Sequence, residues 1–274
     1  MSALAQLFAN PVIVVMLVQN FLFGAVYQSY LYYIPLYLQN ARQYRAIVSA
    51  AIYSSLTVAQ SMGSVLSGQY ISRRKRYGEV IWLGFGLWTL GAGLTLLWKR
   101  ETNLGVVIVT LMIIGVGVGC IIQPTLIALI AHSPKSRRAV ITSNRNFFRC
   151  AGGAVGLAVS AAVLQAALKR NLPPAFKHLA NQSYSFPSNL SPADKSRVLD
   201  AYMAGSRAVF ILAVPLMGIC LLGCLLIKDR GLEHPEEIEK KAGPEEMSMM
   251  NQNQTIEGPV PETETSNRQH VKDS

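Results

Sequence analysis

Residues 104–131 read LGVVIVTLMIIGVGVGCIIQPTLIALIA, an apolar stretch without a single charged side chain. At 1.5 Å per residue, about 20 residues of helix cross a hydrocarbon layer roughly 30 Å thick. Backbone N–H and C=O groups find no partners in lipid, so a segment that crosses it must pair them internally, as a helix does. This segment therefore predicts a transmembrane helix.

Five further apolar stretches accompany it, at residues 12–38, 46–71, 80–98, 139–168 and 208–227. Hydrophobic residues make up 51% of the 274, which is unlike a soluble domain of this length. Trp82 and Trp98, near opposite ends of the third stretch, are typical of interfacial anchors. We predict an all-α polytopic membrane protein with six transmembrane helices in residues 12–227, after an N-terminal segment at residues 1–11.

The connection at residues 169–207 bears on the orientation in the membrane. It contains the sequons Asn181-Gln-Ser and Asn189-Leu-Ser, which are accessible to glycosylation only on the lumenal or outer side. Lys and Arg are shared evenly between the two sides, so charge alone does not fix the orientation. The sequons favour a lumenal or extracellular loop at 169–207, a glycoprotein, and both termini in the cytoplasm. We expect the plasma membrane rather than an internal one.

The net charge of +10 is unevenly distributed along the chain. Residues 1–228 carry twenty Lys and Arg against four acids, whereas residues 229–274 carry five against eleven. The tail is rich in Glu, Pro, Asn and Thr, so residues 228–274 are predicted to be an acidic, disordered cytoplasmic tail. The basic excess lies mainly in loops beside the apolar stretches, where it meets anionic lipid headgroups rather than nucleic acid. A cationic pathway for an acidic substrate is the alternative interpretation.

Polar residues within the apolar stretches are candidates for a substrate path. Asn20, Gln28 and Tyr32 fall on one face of the first helix, and such side chains avoid lipid. Amide and aromatic groups together suit a small organic ligand. Contacts between helices through the same amides are the alternative.

The fourth stretch combines close-packing glycines with a helix break. Gly115 and Gly119 form a GxxxG face, and Pro124 interrupts the helix beside Gln123, a fourth substrate-path candidate. The GxGxG string there is not a dinucleotide loop, because no strand or βαβ unit surrounds it.

Near its start, the fifth stretch contains Asn144, the last substrate-path candidate, and Arg145. Arg149 lies on the same helix face as Arg145, and that face continues through Gly152 and Gly156, which indicate close helix packing. Burial of Arg149 in the membrane is costly unless the charge is paired. No acid lies within the six stretches, and Glu79 directly precedes the third, so Arg149 points to backbone carbonyls, a bound anion or another polypeptide.

Catalysis is not indicated by any motif. The four histidines lie far apart without metal-ligand spacing, and no GxSxG, HExxH or Walker A sequence occurs. We expect no enzyme activity, no metal and no cofactor.

Four motifs resemble the C-terminal half of a major facilitator superfamily transporter, closest to the fourteen-span drug:H+ antiporters that include fungal multidrug and toxin efflux pumps. The motifs are Tyr32-Tyr-Ile-Pro35-Leu-Tyr37, Ser67-Gly68 through Arg76-Tyr77-Gly78, Gly115 through Pro124, and Asn146-Phe-Phe148-Arg149 through Gly156. The loop in the second motif lacks the acid usual for the family, since Ser72 precedes Arg73.

The resemblance implies one half-bundle of an exporter of drugs, toxins or secondary metabolites. Arg145 and Arg149 would then have an interdomain or gating role, and the half that carries the proton-coupling group would be missing. We expect a truncated transporter, whose partners are the bilayer, a small-molecule substrate, and a missing N-terminal half, a second copy or a paralogue. The alternatives are a non-transporting half-bundle that associates with a full-length transporter, and an inactive fragment.

Overall fold

The computed structural model of the protein describes residues 11–131, 138–173, 176 and 192–226. All regular structure in these residues is helical, as the composition predicts. Six long helices are α1 (Pro11–Leu36), α2 (Ala46–Arg74), α3 (Gly78–Thr95), α4 (Leu104–Ala131), α5 (Arg138–Asn171) and α6 (Pro192–Gly223). A π-helical turn, Tyr37–Ala41, extends α1, and a 3-10 turn, Cys224–Leu226, follows α6.

Each helix overlaps one of the six apolar stretches, but not all have the same membrane character. Within the described residues, four segments are long and apolar enough to cross a membrane: Val12–Ala41, Leu104–Ile130, Arg138–Asn171 and Asp194–Gly223. Helices α2 and α3 are not among them, because α2 carries many Ser and Gln residues and α3 includes Glu79 and five glycines. The count of six membrane spans therefore stays a prediction.

Helix α6 corrects the predicted connection at residues 169–207. The helix begins at Pro192, well before Ala208, and its first turns contain Asp194 and Asp200. These charges resemble a loop in sequence, yet Val198, Leu199 and Tyr202 beside them are buried, so the helix continues past its apolar part. Asp200 is also paired with Arg100 at 2.7 Å. The sequons at Asn181 and Asn189, and the predicted tail at 228–274, lie outside the described residues.

Helix α4 is held between α2 and α3 by glycines on two of its sides. Added Cβ atoms at Gly115 and Gly119 would collide with backbone carbonyls of α2 at Leu56 and Gln60. A Cβ at Gly117, on the other side, would lie 2.8 Å from a backbone nitrogen of α3. The absence of side chains at these three positions allows the backbones to approach closely.

Helices α1 and α5 meet along a second glycine-lined seam. A Cβ at Gly24 would collide with the Arg149 carbonyl, and one at Gly152 with the Phe21 carbonyl. Gly156 continues the seam against Ala25, and Ser29 and Ser160 close it with a hydroxyl–hydroxyl hydrogen bond of 2.9 Å. The chain thus forms two packed groups, α1 with α5 and α2 with α3 and α4, and α6 contacts both.

Aromatic side chains fill the core where α1, α3 and α6 meet. Trp88 lies edge-on to Phe23 with ring centroids 5.1 Å apart, and Trp98 stacks on Tyr37 at 5.3 Å and packs against Phe210. Trp98 is fully buried, so the expectation that it anchors at the interface is wrong, whereas Trp82 is exposed. The π-turn after Pro35 directs Tyr37 into this cluster.

Candidate functional site

A polar cleft opens between the two packed groups of helices. Its volume is about 620 Å³, and four helices contribute to it: α1, α2, α4 and α5. The lining residues are Gly24, Tyr27, Gln28, Gln60, Ile122, Arg149, Cys150, Gly153, Ala154 and Leu157. A volume of this size holds a small organic molecule.

The glycine seam determines what the cleft presents on the side of α1 and α5. Since Gly24 and Gly153 carry no side chain, the floor there is backbone, and Gln28 packs over Gly153. A Cβ at Gly153 would lie 3.4 Å from Gln28 Cβ, which is ordinary contact. Gln28 is half-buried and lines the cleft with an amide that both donates and accepts hydrogen bonds.

Tyr27 and Gln60 connect α1 to α2 across the cleft. The Tyr27 hydroxyl donates a hydrogen bond of 3.4 Å to Gln60 Oε1, and the Tyr27 ring lies edge-on to Trp88. Both polar side chains are half-buried and line the same space. The length of this hydrogen bond marks a weak contact that a ligand could replace.

Arg149 is the one charged residue among those that line the cleft. Its side chain is half-buried, and neither of the ion pairs found in the described residues includes it. Arg149 also has no hydrogen-bond partner among the described residues. Because an unpaired charge at such a site is costly, the cleft is electrostatically suited to an anion.

Arg145 serves a different contact one turn earlier. It is only 5% exposed, and its guanidinium donates a hydrogen bond from Nη2 to the Ile122 carbonyl, two residues before Pro124. This bond joins α5 to α4 at the end of the cleft. Arg145 Nε and the Asn144 amide nitrogen are buried without a partner among the described residues.

Four of the five predicted substrate-path residues do not line the cleft, and Asn144, described above, is one of them. Asn20 is buried, and its amide donates a 2.7 Å hydrogen bond to the Met16 carbonyl of its own helix. Tyr32 is 39% exposed and packs edge-on against Tyr33. Gln123 is exposed and points away from the cleft, although the preceding Ile122 lines it. A shared helix face does not fix the depth of a residue, and successive residues of a helix are rotated by about 100°.

Sequence reasoning missed Gln60. It lies near the middle of α2 among several serines and threonines, and no polar face stands out there. The sequence feature that could have identified it is an amide far from both ends of an apolar stretch.

Outside the predicted third span, Glu79 stabilises the turn between α2 and α3. Its carboxylate accepts hydrogen bonds from the Tyr70 hydroxyl at 2.5 Å and from Arg76 at 3.5 Å. The Tyr70 hydrogen bond is the main cause that holds the pKa of the Glu79 carboxyl below its usual range. This acid is exposed and remote from the cleft.

A bundle of long apolar helices is the architecture of an integral, multi-pass membrane protein. The sequence profile of the Major Facilitator Superfamily matches residues 1–157. The chain belongs to this superfamily, and the resemblance noted from its motifs is confirmed at that level. The fourteen-span drug antiporter subfamily stays a prediction.

Known proteins similar to this chain are fungal transporters rather than enzymes. Citrate exporter 1 of Yarrowia lipolytica is 41% identical over 240 residues, which cover 85% of this chain and 36% of that protein. The MFS-type transporter clz4 of Cochliobolus lunatus is 39% identical over 83% of this chain and 41% of its own length. The MFS-type efflux pump MMF1 of Pseudozyma antarctica is 26% identical over 88% of this chain and 46% of its length. The chain thus spans less than half the length of these relatives.

Proposed function

We propose that this chain forms the substrate-binding half-bundle of an exporter of small organic compounds, and that organic acids are among its substrates. The single observation that carries the proposal is the cleft, in which amides and a tyrosine surround an arginine that has no acid beside it. Two similar proteins support it, since one is named a citrate exporter and another an efflux pump.

Each side chain of the cleft has a separate role in the proposal. The Arg149 guanidinium binds a carboxylate through two parallel hydrogen bonds, in a bidentate geometry. Gln28 and Gln60 form hydrogen bonds with further oxygens of the substrate. Tyr27 packs its ring against the carbon skeleton. No acid lines the cleft, so proton coupling by a carboxylate would depend on groups elsewhere.

Cys150 offers a native reporter for substrate binding. It lines the cleft and is exposed, whereas Cys120, Cys220 and Cys224 are buried. In the full chain reconstituted into nanodiscs, citrate should slow the reaction of Cys150 with a maleimide, and Cys150→Ser should abolish labelling. Arg149→Gln should remove the protection and Arg149→Lys should retain part of it. Arg74→Gln, at the end of α2, is the matched control. Equal protection in wild type and Arg149→Gln would refute the site.

Association with another bundle is the second candidate role, and exposed apolar side chains beside the cleft favour it. Val58, Met62 and Val65 of α2 are about 60% exposed, and Phe147 of α5 is 66% exposed. A second copy, a paralogue or an N-terminal half would cover these faces.

The plasma membrane is the proposed location of the protein.

Two measurements separate transport from association. Proteoliposomes that contain the chain alone should show whether labelled citrate moves, and copurification of two differently tagged copies shows self-association. Flux by the chain alone without copurification would reject the associating role. Copurification with flux only after a transporter is added would favour it over independent transport.

A further inference from the structure

A second cleft, with different chemistry, lies at the end of the bundle where α1, α3 and α6 meet. Its volume is about 920 Å³, and it is bounded by the π-turn, the connection between α3 and α4, and the first turns of α6. It shares no lining residue with the cleft that contains Arg149. It lies at the end of α1 where the chain enters the polar connections.

Positive charge dominates this terminal cleft. Five bases line it, namely Arg42, Lys99, Arg100, Lys195 and Arg207. The acids that line it are Glu101 and Asp200, and Asp200 is already paired with Arg100 at 2.7 Å. The described side chains therefore leave a net positive charge around an open space, which attracts anions.

Hydrogen bonds hold the wall of the terminal cleft in place. Arg42 Nη2 donates to the Thr102 carbonyl at 2.7 Å, and its guanidinium lies 5.2 Å from the centre of the Tyr44 ring. The Tyr37 hydroxyl donates to the Lys99 carbonyl at 3.1 Å, and the Lys99 amide donates to the Thr102 hydroxyl. The backbone that carries the bases of the two connections is thus held in place, which lowers the entropy cost of binding a ligand.

Two buried donors in the same wall lack an acceptor. Arg42 Nη1 and Trp98 Nε1 have no hydrogen-bond partner among the described residues. Both residues line the terminal cleft. These two atoms have almost no accessible surface, so the positive charge around the cleft, rather than these donors, points to an anionic ligand.

We propose that the terminal cleft is a second anion site, which binds a multiply charged oxyanion through Arg42, Lys99, Lys195 and Arg207. Guanidinium groups match the paired oxygens of phosphate and carboxylate groups, and ammonium groups add charge without a fixed geometry. The oxyanion comes either from solution or from the headgroup of an anionic lipid. The site does not depend on the proposed transport function.

The full chain in phosphatidylcholine nanodiscs is the material for the test, with two variants. Lys195→Gln with Arg207→Gln removes two exposed charges of the terminal cleft, and Lys169→Gln with Arg170→Gln removes two exposed charges of α5 outside it. Calorimetric titration with inorganic pyrophosphate measures the soluble source. Native mass spectrometry of nanodiscs doped with phosphatidic acid measures lipid retained by the protein.

We expect the cleft variant to lose about tenfold or more in pyrophosphate affinity or to lose the retained phosphatidic acid, while the α5 variant matches wild type. Binding should weaken with added salt, because the bases are exposed. Loss of pyrophosphate binding identifies a soluble oxyanion as the ligand, and loss of lipid retention alone identifies a headgroup. Binding that is unchanged in the cleft variant, equally reduced in both variants, or absent in wild type for both probes would overturn the proposal.

Discussion

The two clefts use positive charge in opposite ways. In the cleft between the helix groups, Arg149 is the one charge, and amides, a tyrosine and backbone surround it. In the terminal cleft, five bases share the space with two acids, and an ion pair already neutralises part of the charge. A lone, half-buried charge controls binding by itself, whereas several exposed charges are screened more strongly and replace one another. Substitutions should therefore act sharply in the first cleft and gradually in the second.

The largest expected effect comes from a substitution that disrupts the cleft around Arg149 and leaves the terminal cleft intact. Gly152→Ala places a Cβ against the Phe21 carbonyl, so α1 and α5 must move apart. We expect a loss of roughly 1–3 kcal/mol in the free energy of unfolding, seen as a lower apparent Tm. Gly86→Ala is the control, since its Cβ would meet nothing within 4 Å. Pyrophosphate binding should persist in folded Gly152→Ala protein, because α6 and the connection between α3 and α4 supply most of the lining of that cleft. Equal Tm values for the two variants would contradict the close seam.

The next effect compares single charges. Arg149→Gln should weaken citrate protection of Cys150 by about tenfold or more, since a charged hydrogen bond contributes roughly 1.5–3 kcal/mol. Arg207→Gln alone should weaken pyrophosphate binding only a few-fold, because neighbouring bases compensate. Maleimide kinetics and calorimetry measure the two losses. Similar fold-changes in both clefts would remove the contrast between them.

A smaller effect tests which amides belong to the substrate site. Gln60→Leu removes the partner of the Tyr27 hydroxyl inside the cleft, so it should alter the order in which organic acids protect Cys150. Gln123→Leu changes an exposed amide outside the cleft and should leave that order unchanged. A panel of organic acids in the labelling assay measures both variants. A larger change in Gln123→Leu would restore the role expected from its place beside Pro124.

The smallest effect concerns the ion pair of the terminal cleft. Asp200→Asn breaks the contact with Arg100. The Arg100 side chain is 32% exposed and the Asp200 side chain is 63% exposed. Such a pair contributes about 1 kcal/mol or less, and salt reduces it further. Tm should fall slightly in low salt and hardly at all in high salt. Pyrophosphate affinity should rise, because Arg100 becomes available; a fall in affinity would contradict the predicted competition.

Sequence patterns predicted the helices well, because a long apolar stretch in lipid must form its backbone hydrogen bonds internally, as a helix does. The fourth stretch and α4 have the same bounds, Leu104–Ala131. The beginning of α6 was not predictable in this way, since its first turns are charged. Arg100, which bonds to Asp200 there, comes from a distant part of the sequence. Local composition does not record such a tertiary partner.

The cleft was predictable only in part. Gln28, a predicted substrate-path residue, lines it, because polar groups in apolar helices avoid lipid. Arg149 lines it too, although the sequence predicted an interdomain or gating role for this residue. Asn20 instead bonds to its own backbone at Met16, a choice open to any helical amide. The position of Gln60 depends on how α2 packs on α4 through Gly119, which a single helix pattern does not contain.

The division of the bundle into two glycine-sealed groups has a mechanical consequence. The close backbone packing in each seam favours motion of α1 with α5, and of α2 with α3 and α4, as two separate units. Across the cleft they are tied by Tyr27 to Gln60 at one point and by Arg145 to the Ile122 carbonyl at another. A rocking motion that stretches these two ties would widen or narrow the space beside Arg149 while both seams stay intact, and α6, which touches both units, would act as the pivot.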